Sequence, residues 1–111
     1  MTETATTLVQ GTLDMLVLKT LALEPLHGFG IAQRIEQISA GVFRVNAGSL
    51  FPAFRRLERA GLIDSEWRET ENSRRAKYYI LTSEGRKRLN AETREWNRQT
   101  AAIARILEAR T

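Results

Sequence analysis

The sequence predicts a mainly α-helical domain with one small β-hairpin, an α+β fold. Three observations support this prediction. Apolar residues recur at helical spacing in four segments of the chain. Two strand-like runs flank a short polar turn. The last helical pattern extends over residues 83–109, which is long for a chain of 111 residues. The chain has the length of one domain and contains no linker or internal repeat.

Two helices are predicted in the first 40 residues. The first covers residues 8–23 and ends before Pro25, because the residue that precedes a proline avoids the α region. It is apolar nearly all round, which favours burial against a partner subunit. The second covers residues 28–39, ends near Gly41 and follows a short turn that contains His27, for which a structural hydrogen bond is expected. Its buried stripe is marked by Ile31, Ile35 and Ile38.

A third helix is predicted over residues 46–60. One face carries the apolar residues Leu50, Phe54 and Leu57. Pro52 fits the first turn of this helix if Ser49 is the N-cap, because no hydrogen bond is lost there. Asn46 then caps an earlier irregular turn. The polar face carries Arg55, Arg56 and Arg59.

A β-hairpin and a long helix complete the chain. The strands are predicted over residues 62–69 and 76–81, and alternation leaves open whether Tyr78 or Tyr79 faces inward. Trp67 is interpreted as a packing residue. The last helix begins after Thr82, a favoured N-cap. Its residues Leu89, Thr93, Trp96, Thr100, Ile103 and Leu107 follow the spacing of a coiled-coil seam, which predicts a dimer.

Composition and charge limit the classes of function. The chain has no cysteine and one histidine, so disulfides, thiolate metal sites and multi-histidine metal sites are excluded. We therefore expect no enzyme activity, no metal and no cofactor. No segment approaches the ~18 apolar residues that span a bilayer, so a cytoplasmic protein without a membrane partner is expected. Residues 1–43 carry two basic and four acidic side chains, whereas residues 44–88 carry eleven basic and six acidic ones. Clustered basic charge is typical of proteins that bind nucleic acid.

The order of three helices, a basic hairpin and a long helix is the winged helix-turn-helix layout, in which the third helix enters the major groove of DNA. Five blocks also match one family in order: residues 11–18, 25–31, 47–58, 61–67 and 74–85. On these blocks the chain resembles PadR-type transcriptional regulators along nearly its whole length. The single C-terminal helix is similar to that of the short-form subgroup.

The resemblance implies a single domain over residues 1–111, with a winged helix over 8–82 and a dimerisation helix over 83–111. It implies a homodimeric repressor that binds a pseudo-palindromic operator in duplex DNA. The expected DNA-binding residues are Ser49, Pro52, Arg55, Arg56, Arg74, Arg75, Lys77 and Tyr78. The expected dimer interface, and the pocket for a small hydrophobic effector, comprise Leu13, Val17, Leu89, Trp96, Ile103 and Leu107.

Several of these residues also have interpretations that involve no ligand. Charged helix faces are often simply solvated, and the basic hairpin residues are also typical of a protected edge strand. Trp96 is interpreted either as dimer packing or as an aromatic platform for a flat ligand. The alternative function is a winged-helix module for protein interaction or ligand sequestration that does not bind DNA.

Overall fold

The computed structural model describes the backbone of residues 2–110 and the side chains of residues 12–110. Four helices are present: α1 (Thr2–Leu23), α2 (Gly28–Ile38), α3 (Ala47–Arg59) and α4 (Ser83–Glu108). Three strands accompany them: β1 (Leu26–His27), β2 (Ile63–Glu69) and β3 (Arg75–Leu81). The predicted α+β class is confirmed, and the predicted bounds of the hairpin and the last helix agree within one residue. The first helix begins six residues earlier than predicted.

The segment before α2 is a strand, where a turn was predicted. Leu26 pairs with Tyr79 and His27 with Tyr78, so the sheet has the order β1-β3-β2. The residue before Pro25 avoids the helical region, and the extended segment that follows covers an edge of β3 that would otherwise lack hydrogen-bond partners. Two residues are too few for a strand to show alternation in the sequence.

Hydrogen bonds from backbone N–H groups define both ends of α2. His27 is its N-cap, and Nδ1 of His27 accepts a hydrogen bond from the Gly30 N–H at 3.0 Å, as expected for a structural histidine. At the other end, Gly41 adopts φ +82° and its N–H donates to the Glu36 carbonyl at 2.9 Å. The prediction that Ile38 is buried is wrong. The packed stripe ends at Ile35, and Ile38, the last helical residue, is exposed.

The start of α3 differs from the prediction. Asn46 is the N-cap, and its Oδ1 accepts a hydrogen bond from the Ser49 N–H at 2.9 Å. The Ser49 hydroxyl donates to the Asn46 carbonyl, also at 2.9 Å, so Ser49 lies in the first turn and does not cap the helix. Pro52 consequently falls in the second turn, where it removes the hydrogen bond to the Gly48 carbonyl. The helix tolerates this loss at an exposed position.

The core lies between the first three helices and the sheet, and Leu89 of α4 packs into it. The largest fully buried side chains of the core are Val17, Leu18, Ile31, Leu50, Phe54 and Ile63. Tyr79, not Tyr78, faces inward, and its ring centroid lies 4.4 Å from that of Phe54. This contact fixes the sheet against α3.

One threonine connects the hairpin to α4. Thr82 Oγ1 accepts a hydrogen bond from the Gly85 N–H at 3.0 Å, which confirms the predicted cap. The same hydroxyl donates to the Gly61 carbonyl at 2.7 Å, just beyond the end of α3. Gly61 itself adopts φ +75°, a backbone conformation that glycine adopts without steric cost.

Candidate nucleic-acid interface

The exposed face of α3 carries a line of four residues. Gly48, Pro52, Arg55 and Arg59 follow one another at spacings of 4, 3 and 4, and all four are exposed. They lie opposite the buried face of the helix. Two of the predicted contact residues, Pro52 and Arg55, belong to this line. A surface of this kind fits the major groove, which is about 12 Å wide.

Arg56 lies on the flank of α3 that faces α1. Its Nη2 is 2.8 Å from Oδ1 of Asp14, so its charge is paired within the chain. The role of Arg56 as a DNA contact stays a prediction, and such a contact would compete with the ion pair to Asp14. The sequence did not reveal this pair, because the two residues are 42 positions apart.

The hairpin is tied to α3 through Glu58. Its Oε2 accepts a hydrogen bond from Ser65 Oγ at 2.8 Å, and its Oε1 lies 3.4 Å from Nζ of Lys77. One carboxylate thus contacts both strands of the hairpin. Lys77, a predicted DNA contact, is already paired with an internal acidic group.

The two faces of the hairpin carry different residues. Tyr78 lies on the face away from α3, because the inward-facing Tyr79 is its neighbour in the strand. The Tyr78 ring meets His27 edge-on at 5.4 Å, and the guanidinium of Arg68 lies 5.1 Å from its centroid. Tyr78 is therefore packed between protein groups, and the structure does not bring it together with Pro52 and Arg55.

Several cations near this surface form no ion pair among the side chains of residues 12–110. They are Arg44, Arg55, Arg59, Arg74 and Arg75. Arg44 was missed in the sequence, although its position two residues before the Asn46 cap places it beside the start of α3. Arg59 is not among the expected DNA-binding residues, because in the sequence its charge is offset by the neighbouring Glu58, yet it lies on the exposed line.

The predicted dimer interface divides into two groups. Leu13, Val17 and Leu89 are buried within the core of the single chain, which leaves little of their side chains for a partner. Trp96, Ile103 and Leu107 are exposed, the last two at 54% and 79%. The candidate pairing surface is thereby reduced to these three residues on α4, together with the exposed Ile106.

A cavity of about 220 Å³ lies where α1 meets α4. Its lining residues are Thr12, Met15, Glu92, Glu95, Trp96 and Gln99. Hydrogen bonds from Arg98 and Gln99 lower the pKa of Glu95. The cavity is smaller than the ~300–1,000 Å³ of ordinary ligand pockets.

Two further features bear on the class of protein. In the part of the chain whose side chains are described, no cluster of histidine and acidic residues is arranged to hold a metal ion. None of the described helices is long and apolar enough to cross a membrane.

The helix order, the α2–α3 pair and the adjoining hairpin define a winged helix-turn-helix protein, a DNA-binding fold. The sequence profile of the PadR-like family of transcriptional regulators matches residues 17–91. The chain therefore belongs to the PadR-like family, whose members are transcriptional regulators.

Solved structures agree with this assignment. The chain is similar to a transcriptional regulator from Clostridium thermocellum, with 27% identity and a TM-score of 0.82, over 91% of this chain and 98% of the other. It is also similar to a PadR family regulator from Eggerthella lenta, with 32% identity and a TM-score of 0.81, over 98% and 93% of the two chains. An uncharacterised protein X from Lysinibacillus sphaericus is 27% identical over 89 residues, which are 80% of this chain and 82% of that protein.

Proposed function

We propose that this chain is a homodimeric, sequence-specific transcriptional repressor that binds a pseudo-palindromic operator. The observation that carries the proposal is the exposed line on α3, where Arg55 and Arg59 form no ion pair among the described side chains. The hairpin that Glu58 connects to α3 carries two further cations, Arg74 and Arg75, which a merely solvated helix face would not need. Binding to chromosomal DNA requires a cytoplasmic location, which is part of the proposal.

Different residues contact the bases and the phosphates in this proposal. The residues Pro52, Arg55 and Arg59 enter the major groove, where arginine most often contacts guanine. Arg44, Arg74 and the first turn of α3 contact the flanking phosphates, which favour a helix N-terminus. Within that turn the Ser49 amide and hydroxyl are already bonded to Asn46, so the contact falls mainly on the preceding amides.

Pairing of two subunits through α4 would set the distance between the two reading helices. The exposed Trp96, Ile103 and Leu107 support this surface, because contiguous apolar side chains on a helix favour association. Twofold symmetry then presents two α3 helices to successive turns of the major groove, about 34 Å apart. This arrangement gives the operator its proposed pseudo-palindrome.

A small hydrophobic effector would bind beside Trp96. The cavity of about 220 Å³ supports this part of the proposal only in combination with a second subunit, because one chain encloses too little space. Stacking on the exposed indole would supply the apolar contact. If the effector binds more tightly to a dimer whose two α3 helices are too far apart or too close for the operator, effector binding lowers the affinity for the operator, which is coupling between the two sites.

The proposal is tested by sequencing the genomic fragments that the purified protein retains. The recovered site is then titrated at several salt concentrations. If the dimer neutralises about 6–10 phosphates, affinity should fall about 10³–10⁵-fold between 50 and 200 mM salt. A flat salt response, or no retained fragment, would favour the alternative of an interaction or sequestering module without DNA binding.

A matched pair of variants makes the test specific for α3. Arg55→Ala with Arg59→Ala should weaken operator binding and reduce discrimination against unrelated DNA. Arg110→Ala removes a positive charge beyond the far end of α4 and should leave both unchanged. Equal losses in the two proteins would contradict the proposed role of the exposed line.

A further inference from the structure

Trp67 is not the packing residue that the sequence indicated. Its side chain is 59% exposed, an unusual state for a large apolar residue that offers extensive contact area. It lies on β2 directly opposite Lys77 of β3.

The strand register shows which way Trp67 faces. Ser65 pairs with Tyr79, and Trp67 is two residues further along the same strand, so both lie on one face of the sheet. Near the core this face is covered by α3, where Tyr79 packs against Phe54. Trp67 lies beyond that covered region, on the part of the hairpin face that extends past the helix.

Arg75 flanks the exposed ring. Its guanidinium carbon lies 5.5 Å from the Trp67 centroid, within the range of a cation–π contact. A guanidinium in this position keeps donors available for a phosphate, because stacking uses its plane and hydrogen bonding uses its edge. Glu69 is paired with Arg75 in the register but forms no ion pair with it among the described side chains.

The two strands that carry Trp67 and Arg75 are both attached to α3. Glu58 of α3 contacts Ser65 and Lys77 immediately beside Trp67. Both of these strands are therefore attached to the helix proposed to read the operator. A ligand that contacts α3 and extends past it would meet both groups.

We propose that Trp67 and Arg75 form a preorganised clamp on the sugar–phosphate backbone beside the groove that α3 occupies. The indole packs against the apolar face of a deoxyribose, and the guanidinium donates to the adjoining phosphate. This inference rests on the proposed DNA-binding function. It adds an apolar contact that the neighbouring cations do not provide. The basic residues Arg74 and Arg75 favour DNA over an apolar protein partner as the occupant of this face.

The fluorescence of Trp67 tests the clamp directly. The chain has two tryptophans, so Trp96→Phe leaves Trp67 as the single reporter. Addition of the retained operator fragment should change the emission of Trp67 and protect it from iodide. Trp96 lies on the proposed pairing surface, so its replacement could disturb the dimer. The natural protein and Trp67→Phe are therefore titrated in parallel. DNA should protect the emission of the natural protein from iodide more than that of Trp67→Phe, in which only Trp96 remains.

Affinity measurements separate the two members of the clamp. Trp67→Ala should weaken binding about three- to tenfold, the range for one aromatic contact, while the salt dependence stays unchanged. Arg75→Ala should instead reduce the salt slope by about 1. Trp67→Phe retains a ring and should bind more tightly than Trp67→Ala, and far-ultraviolet circular dichroism checks that each variant is folded.

The outcomes distinguish this inference from the proposed function. The clamp would be overturned if the operator bound without changing Trp67 emission and if Trp67→Ala bound with full affinity. The proposed function as a regulator would then still stand. In Trp96→Phe, emission of Trp67 that depends on protein concentration without DNA would assign the face to a second copy and also overturn the clamp. Failure to bind any duplex would overturn the proposed function and the clamp together.

Discussion

Glu58 of α3 and Lys77 of β3 are joined by an ion pair of 3.4 Å, which links the proposed reading helix to the hairpin. The other oxygen of Glu58 accepts a hydrogen bond from Ser65 on β2. The lysine charge is thus offset within the protein. Its contribution to DNA binding should come from the position of the hairpin more than from direct contact with phosphate.

Replacement of Lys77 tests this division of roles. Lys77→Ala should lower the free energy of unfolding by about 0.2–1 kcal/mol, as expected for a partly exposed pair. It should leave the salt slope of operator binding unchanged, whereas Arg74→Ala should reduce the slope by about 1. Both are measured by titrating labelled operator over a series of salt concentrations. Equal reductions in slope would identify Lys77 as a phosphate contact.

Arg56 should stabilise the packing of α3 on α1 through Asp14. A double-mutant cycle of Arg56→Ala and Asp14→Ala, followed by urea unfolding, should give a coupling energy of about 0.2–1 kcal/mol. Arg55→Ala provides the matched control, because Arg55 lies on the same helix without an ion pair. We expect it to affect operator affinity more than Arg56→Ala does, and the reverse order would contradict the assignment.

Gly85 should be intolerant of any side chain. An added Cβ would overlap the backbone carbonyl of Leu62, and a backbone atom cannot move aside as a flexible side chain does. Gly85→Ala should therefore lower the free energy of unfolding by at least about 1–3 kcal/mol, the usual cost of overpacking. Asn90→Ala, at an exposed position of the same helix, should change it by less than about 0.5 kcal/mol. Thermal melting of the two proteins makes the comparison.

Tyr79 should make the fold sensitive to alkaline pH. Burial, with a smaller contribution from the Glu58 carboxylate, raises the pKa of Tyr79 above its usual 10.0. Above pH 10 the phenol loses its proton in the unfolded chain first, so stability is intact below that pH and falls as the pH rises through the folded-state pKa. Tyr79→Phe keeps the ring contact with Phe54 but has no ionisable hydroxyl. Its free energy of unfolding, measured between pH 8 and 12, should therefore fall less with rising pH than that of the natural protein. Parallel curves for the two proteins would contradict it.

The end of α4 should control subunit pairing. Ile103→Glu with Leu107→Glu places charge on the exposed apolar surface and should yield monomers in sedimentation velocity experiments, with much weaker operator binding. Arg110→Glu introduces the same carboxylate just beyond the helix and should remain paired. A doubly substituted protein that still dimerises would show that α4 does not form the interface.

The sequence predicted the regular elements well because their signals are local. Apolar spacing, the Thr82 cap and the glycines at helix ends all act within a few residues. The strand β1 was missed because its partner is about 50 residues away in the chain. The same distance effect explains the two ion pairs of Arg56 and Lys77, which arise only when α3 packs against α1 and the hairpin. Exposure of Trp67 could not be predicted either, because alternation assigns it to the inner face without revealing where α3 ends.

The hydroxyl of Thr82 has a mechanical consequence. It accepts a hydrogen bond from the Gly85 N–H in the first turn of α4 and donates one to the Gly61 carbonyl, just after α3. The hairpin separates the two helices in sequence, but this hydroxyl joins the end of α3 to the start of α4 in space, and α4 extends about 39 Å from that junction. We therefore expect a change in the tilt of α4, imposed far from Thr82, to displace the end of α3 as well.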